Sequence, residues 1–265
     1  MKLEGQTALV TGATGGLGRA IARALAERGA HLVLSSRRGE ELAELASSLP
    51  GEGHRVVVAD LALEGAAERL CAEAGSVDVL VANAGLPGGG RLERFSEDEL
   101  GATLRVNFEA PIRMARALLP AMLERRSGHL VFVSSLQGKV AFARSSVYSA
   151  SKFGLRGFAL SLHDDLHGTG VGASVVLPGF IREAGMFAAS GQRAPAGLGT
   201  GTPEQVGAGV VRAIERDRAE VDVAPLLQRL AAGIGHRRPR LASILTRRSS
   251  AKVADRVVAG QAGKR

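Results

Sequence analysis

Short apolar runs alternate along this chain with longer stretches in which apolar residues recur every three to four positions. The runs are Thr7 to Thr11 (TALVT), His31 to Ser35 (HLVLS), Arg55 to Ala59 (RVVVA), Val77 to Ala82 (VDVLVA), His129 to Val133 (HLVFV), Val171 to Leu177 (VGASVVL) and Glu220 to Val223. Their length and continuity fit strands buried on both faces. The intervening stretches read as helices: one carrying Leu17, Ile21, Ala24 and Leu25, one over Glu40 to Leu49, one over 146–167, and one opened by Thr202 and Pro203 and running to about Arg216. Another starts at Ser96, whose hydroxyl is placed to cap it with Glu99 three residues on. Asn107, in the middle of that stretch, predicts a kink, and Pro111 and Pro120 predict interruptions. Strand and helix alternate at βαβ spacing, so the fold expected is α/β, a Rossmann-like doubly wound parallel sheet in a single domain over 1–225, with ligands at the carboxyl ends of its strands. The Gly-, Ala- and Ser-rich segment 180–202 reads as a lid over that end.

Charge changes the picture only at the C-terminus. The formal net charge is +8, yet residues 226–265 hold ten Lys/Arg and one acid, leaving the other 225 residues at −1. A nucleic-acid-binding fold would carry its basic patch on the structured domain, so that class is disfavoured. Leu226, Leu227, Leu230 and Ile234 recur at helical spacing, with Arg237, Arg238, Arg240, Arg247 and Arg248 after them. The extension 226–265 is therefore expected to be basic and partly helical. It could lie on an anionic membrane or pack its leucines on its own subunit or a neighbour. One cysteine, Cys71, excludes an internal disulfide and a cysteine-built zinc site, and no metal is expected. No apolar run is long enough to span a bilayer, and MKLEGQTALVTG does not read as a secretory signal, so a cytoplasmic protein is expected.

Two stretches carry chemistry. After the first run comes TGATGGLG, with Gly12, Gly15, Gly16 and Gly18 at the start of a helix. Glycine is a poor helix former, and its presence there fits close backbone approach to a pyrophosphate at a helix N-terminus. At the end of the second run, where a ribose-binding acid is usual in dinucleotide folds, stand Ser36, Arg37 and Arg38. Arginines there suit a 2′-phosphate; a solvated basic loop would also account for them. The second stretch is SSLQGKVAFARSSVYSASK, 134–152, which holds the one tyrosine of the chain, Tyr148, and Lys152 one helical turn later. A nearby ammonium favours the phenolate and eases proton exchange with a substrate oxygen. Ser135, at the end of the fifth run, could hydrogen-bond the same oxygen. Alone, a Tyr-x-x-x-Lys pair is as compatible with an ordinary surface helix.

Taken in order, TGATGGLG (11–18), Asp60-Leu61, NAG (83–85), Asn107, Ser135, YSASK (148–152) and PG (178–179) make residues 5 to 225 resemble the classical short-chain dehydrogenase/reductase family. The resemblance implies a catalytic set of Asn107, Ser135, Tyr148 and Lys152. Tyr148 would be the acid/base and Ser135 would polarise the carbonyl. Lys152 would bind the nicotinamide ribose and lower the tyrosine pKa, and Asn107 would hold a water in a proton relay. It also implies a cofactor site of Gly12, Thr14, Gly16, Leu17, Gly18, Ser36, Arg37, Asp60, Leu61, Asn83, Ala84, Gly85, Tyr148, Lys152, Pro178 and Gly179, with NADP(H) expected over NAD(H) from Arg37. Position 82 is alanine where the family often has asparagine, and Glu183 stands where it usually has threonine after Pro-Gly.

The function expected is hydride transfer between NADP(H) and a carbonyl/alcohol substrate. Val140, Phe142, Phe180, Met186 and Phe187 are apolar candidates for the substrate pocket, pointing to a hydrophobic ketone, steroid or lipid-like carbonyl, although core packing would explain some of them equally well. A homodimer or homotetramer is expected through the helices carrying Asn107 and Tyr148. The competing classes are a non-catalytic dinucleotide-binding redox sensor and a membrane-surface interaction protein. An intact Ser-Tyr-Lys-Asn set argues against the sensor, which has no use for a proton relay.

Overall fold

The computed structural model describes residues 1–188, 197–237 and 240, apart from the side chains of 186, 187 and 236. Seven strands form one parallel sheet: β1 (Thr7–Thr11), β2 (His31–Ser36), β3 (Arg55–Val58), β4 (Val79–Ala82), β5 (Gly128–Val133), β6 (Val171–Pro178) and β7 (Glu220–Val223). The order is β3-β2-β1-β4-β5-β6-β7, so the winding reverses between β1 and β4 and opens a crevice at their carboxyl ends. The helices are α1 (Gly16–Ala26), α2 (Gly39–Ser48), α3 (Ala66–Ala74), α4 (Glu97–Leu104), α5 (Ala110–Glu124), α6 (Ser146–Asp165), α7 (Gly185–Ala188), α8 (Pro203–Glu215) and α9 (Leu226–Arg237).

The strand residues divide with period two between two cores. Leu9, Leu130, Phe132, Val175 and Leu177 face α3, α5 and α6. Val10, Val131, Val133 and Val176 face α1, α2 and α8. Because both faces are covered, central strands such as β4 and β5 are buried at every position, which is why they read as continuous apolar runs. Phe132 meets Phe158 of α6 edge to face, ring centroids 5.4 Å apart. The strand-end and helix-end expectations hold to within two residues, and both predicted N-caps, Ser96 and Thr202, form reciprocal capping boxes.

In the long central stretch one expectation takes a definite form and one is corrected. The kink at Asn107 is a π-helical turn over Arg105–Glu109, joining α4 to α5. Pro120, in contrast, interrupts nothing: α5 runs through it to Glu124. Pro111 sits in the first turn of α5, where a missing N–H is tolerated. In the extension, α9 turns Gln228 and Ala232 inward and is built onto the domain. Of the segment read as a lid, 189–196 lies outside the described residues, as do Arg238, Arg247 and Arg248 of the tail.

Candidate active site

The glycine-rich turn comes first because the rest of the site is built around it. Gly12 adopts φ +63°, and a Cβ there would come within 2.9 Å of the Ala84 backbone. A Cβ on Gly18 would collide with the Gly12 carbonyl, so the turn between β1 and α1 closes only without one. Thr11 and Asn83 fasten β1 to β4 across the winding reversal. The Thr11 hydroxyl accepts from the N–H groups of Asn83 and Ala84, both at 3.1 Å. Asn83 Nδ2 in turn donates to the carbonyls of Thr11 (3.0 Å) and Gly12 (3.3 Å). The result is a shallow cradle with the N-terminus of α1 behind it, suited to a pyrophosphate. Thr11 was not among the expected site residues, although it opens the TGATGGLG motif.

At one edge of the cradle Arg38 donates through Nη2 (2.7 Å) and Nε (3.2 Å) to the hydroxyl of Thr14, and its backbone N–H donates to Ser36 Oγ at 3.1 Å. Arg37 is more exposed and lies 4.0 Å from Asp60 Oδ2. Asp60 also accepts from the Ala62 N–H, fixing the turn in which Leu61 is buried. Two guanidinium groups therefore border the end of β2. The better anchored of the two is Arg38.

The chemistry-bearing side chains gather beyond the ends of β4 and β5. Gly128 to Val133 pairs with β6, and Ser134 continues that register by donating its N–H to Val176 O. The chain then turns at Ser135, whose hydroxyl accepts from the Gln137 N–H at 3.1 Å. Tyr148 lies in the first turn of α6, and a hydrogen bond links its phenol to Ser135. Lys152, one turn on, is 3% exposed; its ammonium lies 5.7 Å from the Tyr148 ring centroid and donates to Val133 O at 3.0 Å. Ser134 Oγ donates to the Lys152 carbonyl, so strand end and helix are tied directly.

Burial acts on both titratable groups. It pushes the Tyr148 phenol up to about 12, with the Ser135 hydrogen bond pulling the other way, and it pushes the Lys152 ammonium down to about 8. Lys152 stands beside the phenol, and the net shift of the tyrosine is upward because desolvation outweighs the Ser135 hydrogen bond. Asn107 also differs in detail from its expected role. Its side chain is fully buried, with Oδ1 accepting from the Leu86 N–H (2.7 Å) and Nδ2 donating to Leu86 O (2.8 Å). Both ends of the amide are used to hold the loop after β4.

Pro178 ends β6, and the Gly179 N–H bonds to Val223 O at 3.0 Å. A Cβ on Gly179 would collide with Gln228 Oε1. That buried glutamine of α9 accepts from the Phe180 N–H (3.0 Å) and donates to Leu198 O (3.3 Å) and Gly199 O (2.8 Å). It thereby joins the start of the 180s excursion to its return. The excursion crosses the cradle, where Ala184 stands so close to Gly16 that a Cβ on the glycine would strike it, and Gly185 borders Leu17. Glu183, with φ +67°, faces solvent and pairs with Arg182 at 3.1 Å. Of the substrate-pocket candidates, Val140 is buried in the core, Phe142 packs against that core and Phe180 is half-buried, while the side chains of Met186 and Phe187 lie outside the described ones.

Sequence reading also missed Lys139, just after the Ser135 turn. Its ammonium bonds Asp222 (2.6 Å) and Glu220 (2.7 Å) of β7, and Arg156 of α6 bonds Glu220 at 2.5 Å. Burial would raise the Glu220 carboxyl, but the hydrogen bonds from Arg156 and Lys139 outweigh it and hold it below the usual range. No pattern in the sequence marks residues 83 positions apart as partners.

The glycine cradle and the Ser-Tyr-Lys cluster lie at the same carboxyl edge of the sheet. The family model for short chain dehydrogenase matches residues 6–194. The chain belongs to the short-chain dehydrogenase family of oxidoreductases, which act on keto and hydroxyl groups. It is 38% identical over 227 residues to the ketoacyl reductase HetN of Nostoc sp., spanning 83% of this chain and 79% of that protein. To the 3-oxoacyl-[acyl-carrier-protein] reductase FabG of Escherichia coli it is 36% identical over 184 residues, 68% of this chain and 75% of that one. Among solved structures, an actinorhodin polyketide ketoreductase crystallised with NADPH superimposes with a TM-score of 0.75 at 30% identity, covering 83% of this chain and 96% of the other.

Proposed function

We propose that this protein is an NADPH-dependent reductase of a ketone carried on an apolar, ketoacyl-like chain. The observation that carries the reading is the Tyr148 hydroxyl, held by Ser135 with the Lys152 ammonium beside it, at the edge of a glycine cradle fit for a pyrophosphate. Gly12, Gly16, Gly18 and the N-terminus of α1 would hold the diphosphate. Asp60 and Leu61 would flank the adenine, and Asn83, Ala84 and Gly85 would floor the site with Pro178 and Gly179. Bound there, the nicotinamide supplies the hydride.

The chain's own residues supply the proton and the orientation. A phenol pushed up to about 12 keeps its proton at neutral pH, which suits donation to a developing alkoxide and therefore the reductive direction. Ser135 stabilises the same oxygen as negative charge builds on it. Asn107, on the π-turn, would help to hold a water that returns protons toward Lys152. Arg38, steadied by Thr14, and Arg37 support recognition of a 2′-phosphate, and the names of two superimposed neighbours include NADPH and NADP+. The apolar Phe142 and Phe180 and the ketoacyl reductases among the relatives support the substrate class. A cytoplasmic homodimer or homotetramer, paired through α4 to α6, completes the reading.

The test follows NADPH and NADH oxidation with a panel of β-ketoacyl thioesters, hydrophobic ketones and sugars. NADPH with apolar ketones should be preferred, and Arg37→Asp with Arg38→Asp should reverse the cofactor preference through lost pairing and added repulsion. Equal use of both cofactors by the unaltered protein would refute the cofactor assignment, and turnover confined to sugars would refute the substrate class.

A further inference from the structure

The turn that carries Ser135 takes its shape from bonds within itself. The Ser135 carbonyl accepts from the Gly138 N–H at 2.8 Å, the Leu136 carbonyl from the Lys139 N–H at 2.9 Å, and the Ser135 hydroxyl from the Gln137 N–H at 3.1 Å. Its position depends on what ties it to the rest of the fold. At the start, Ser134 bonds the carbonyls of Val176 and Lys152, and buried Leu136 adds a non-directional apolar anchor. At the other end the Lys139 ammonium reaches past β6 to Asp222 Oδ1 (2.6 Å) and Glu220 Oε1 (2.7 Å) on β7. The lysine side chain is 13% exposed, and the two carboxylates are 16% and 24% exposed. Val221 and Val223 point into the core shared with α1 and α8. Glu220 and Asp222, at alternate positions, therefore fall on the opposite face, beside Leu177, where the sheet otherwise carries apolar residues.

We propose that Lys139 is a positioning residue for proton transfer: gripped by Glu220 and Asp222, it sets the Ser135 turn so that the serine hydroxyl meets the Tyr148 phenol. This role deepens the reductase reading and rests on it for its chemistry. Stability alone is a poor account of the cluster. A largely buried ion pair costs about as much in desolvation as it returns, and apolar residues of similar volume would serve at least as well there. Nor is Lys139 needed to fasten α6 to β7, since Arg156 of α6 already bonds Glu220 at 2.5 Å. Asp222 has a second cation in reach, Arg229 at 3.7 Å. What Lys139 adds is a directional tie from β7 to the Ser135 turn, fixing a point where the packing of Leu136 fixes only a depth. With its ammonium committed to β7, Lys139 acts on the reaction through Ser135, four residues before it.

The experiment uses the full chain and reads Tyr148 directly, because it is the one tyrosine of a protein without tryptophan. The tyrosine Raman doublet, whose intensity ratio reports hydrogen bonding of the phenol, should shift in Lys139→Met as it does in Ser135→Ala. In NADPH-dependent ketone reduction Lys139→Met should lower kcat about 10- to 10²-fold, the scale of a small misplacement at a reacting centre, with KM for NADPH unchanged. Lys139→Arg, which keeps the cation, should restore most of both signals. Adding Lys139→Met to Ser135→Ala should cost nothing further, because the first acts through the second. Lys139→Met with Asp222→Asn removes one charge of each sign, so the test stands even where the single variant unfolds, and it should show the same losses. An unshifted doublet in the folded variant overturns the proposal, and so do losses in kcat that multiply with those of Ser135→Ala. A protein that reduces no ketone with either cofactor would refute the reductase reading instead, while the doublet still decides the role of Lys139.

Discussion

At the scale of single residues, the site works by desolvation as much as by pairing. Tyr148 is held near 12 and Lys152 near 8, each moved toward its neutral form by burial. Tyr148→Phe removes one oxygen and leaves the cradle untouched. NADPH binding, followed by fluorescence, should persist while turnover falls about 10²- to 10⁴-fold, the loss expected for a positioned acid. Lys152 gives a second, separable signature. Its depressed pKa means the ammonium is present below about pH 8 and lost above it. The kcat/KM for reduction should therefore be flat from pH 6 to about 8 and fall beyond, since that ratio reports groups of the free enzyme. Lys152→Met should lower the whole profile and erase that limb. A limb that survives the substitution would assign it to another group.

At the scale of elements, what matters is how strand ends and helix starts are fastened to each other. The tie between β5 and α6 runs through Ser134 and the Lys152 carbonyl, and the loop after β4 is stapled to the π-turn by Asn107. The excursion after β6 depends on one side chain from α9, Gln228, with three hydrogen bonds to its two ends. Gln228→Leu keeps the volume and removes all three. The residues at 180–185 would then no longer be fixed against Gly16 and Leu17, so KM for NADPH should rise several-fold with a smaller change in kcat. Tryptic cleavage after Arg182 should quicken before cleavage elsewhere. Equal acceleration at every site would mean the helix contributes stability alone.

At the scale of the whole molecule, one buried group adds its own pH dependence to acid stability. His129, 2% exposed between β5 and β6, shares a 2.8 Å hydrogen bond with Ser174 and has its pKa pushed down to about 4 by burial, with Asp217 opposing. As pH falls through 6.5 the unfolded chain takes up the proton and the folded chain does not. Stability therefore drops until the folded pKa is reached, by about 3 kcal/mol from this residue at 1.36 kcal/mol per unit. Urea unfolding at pH 7 and pH 4.5 should show the loss, and His129→Gln should flatten the difference between them even if its stability at pH 7 is lower. An unchanged pH dependence in that variant would remove His129 as the cause.

Much was legible before any coordinates. Continuous apolar runs, helical stripes, glycines at a helix start and the two N-caps are local properties, written in neighbouring residues whose sterics and hydrogen bonds act within one or two turns. They determined the seven strands, the alternation and the cradle, and they placed Ser135, Tyr148 and Lys152 at strand and helix ends that a parallel sheet must bring to one edge. Long-range partnership was not written there. Lys139 with Asp222, Gln228 with Phe180, and Asn107 with Leu86 meet only once the chain is wound, and no spacing rule connects them. Nor could the direction of the tyrosine shift be read from a Tyr-x-x-x-Lys pair. Burial raises the phenol's pKa and the Ser135 hydrogen bond lowers it, and only the packing around α6 decides which is larger.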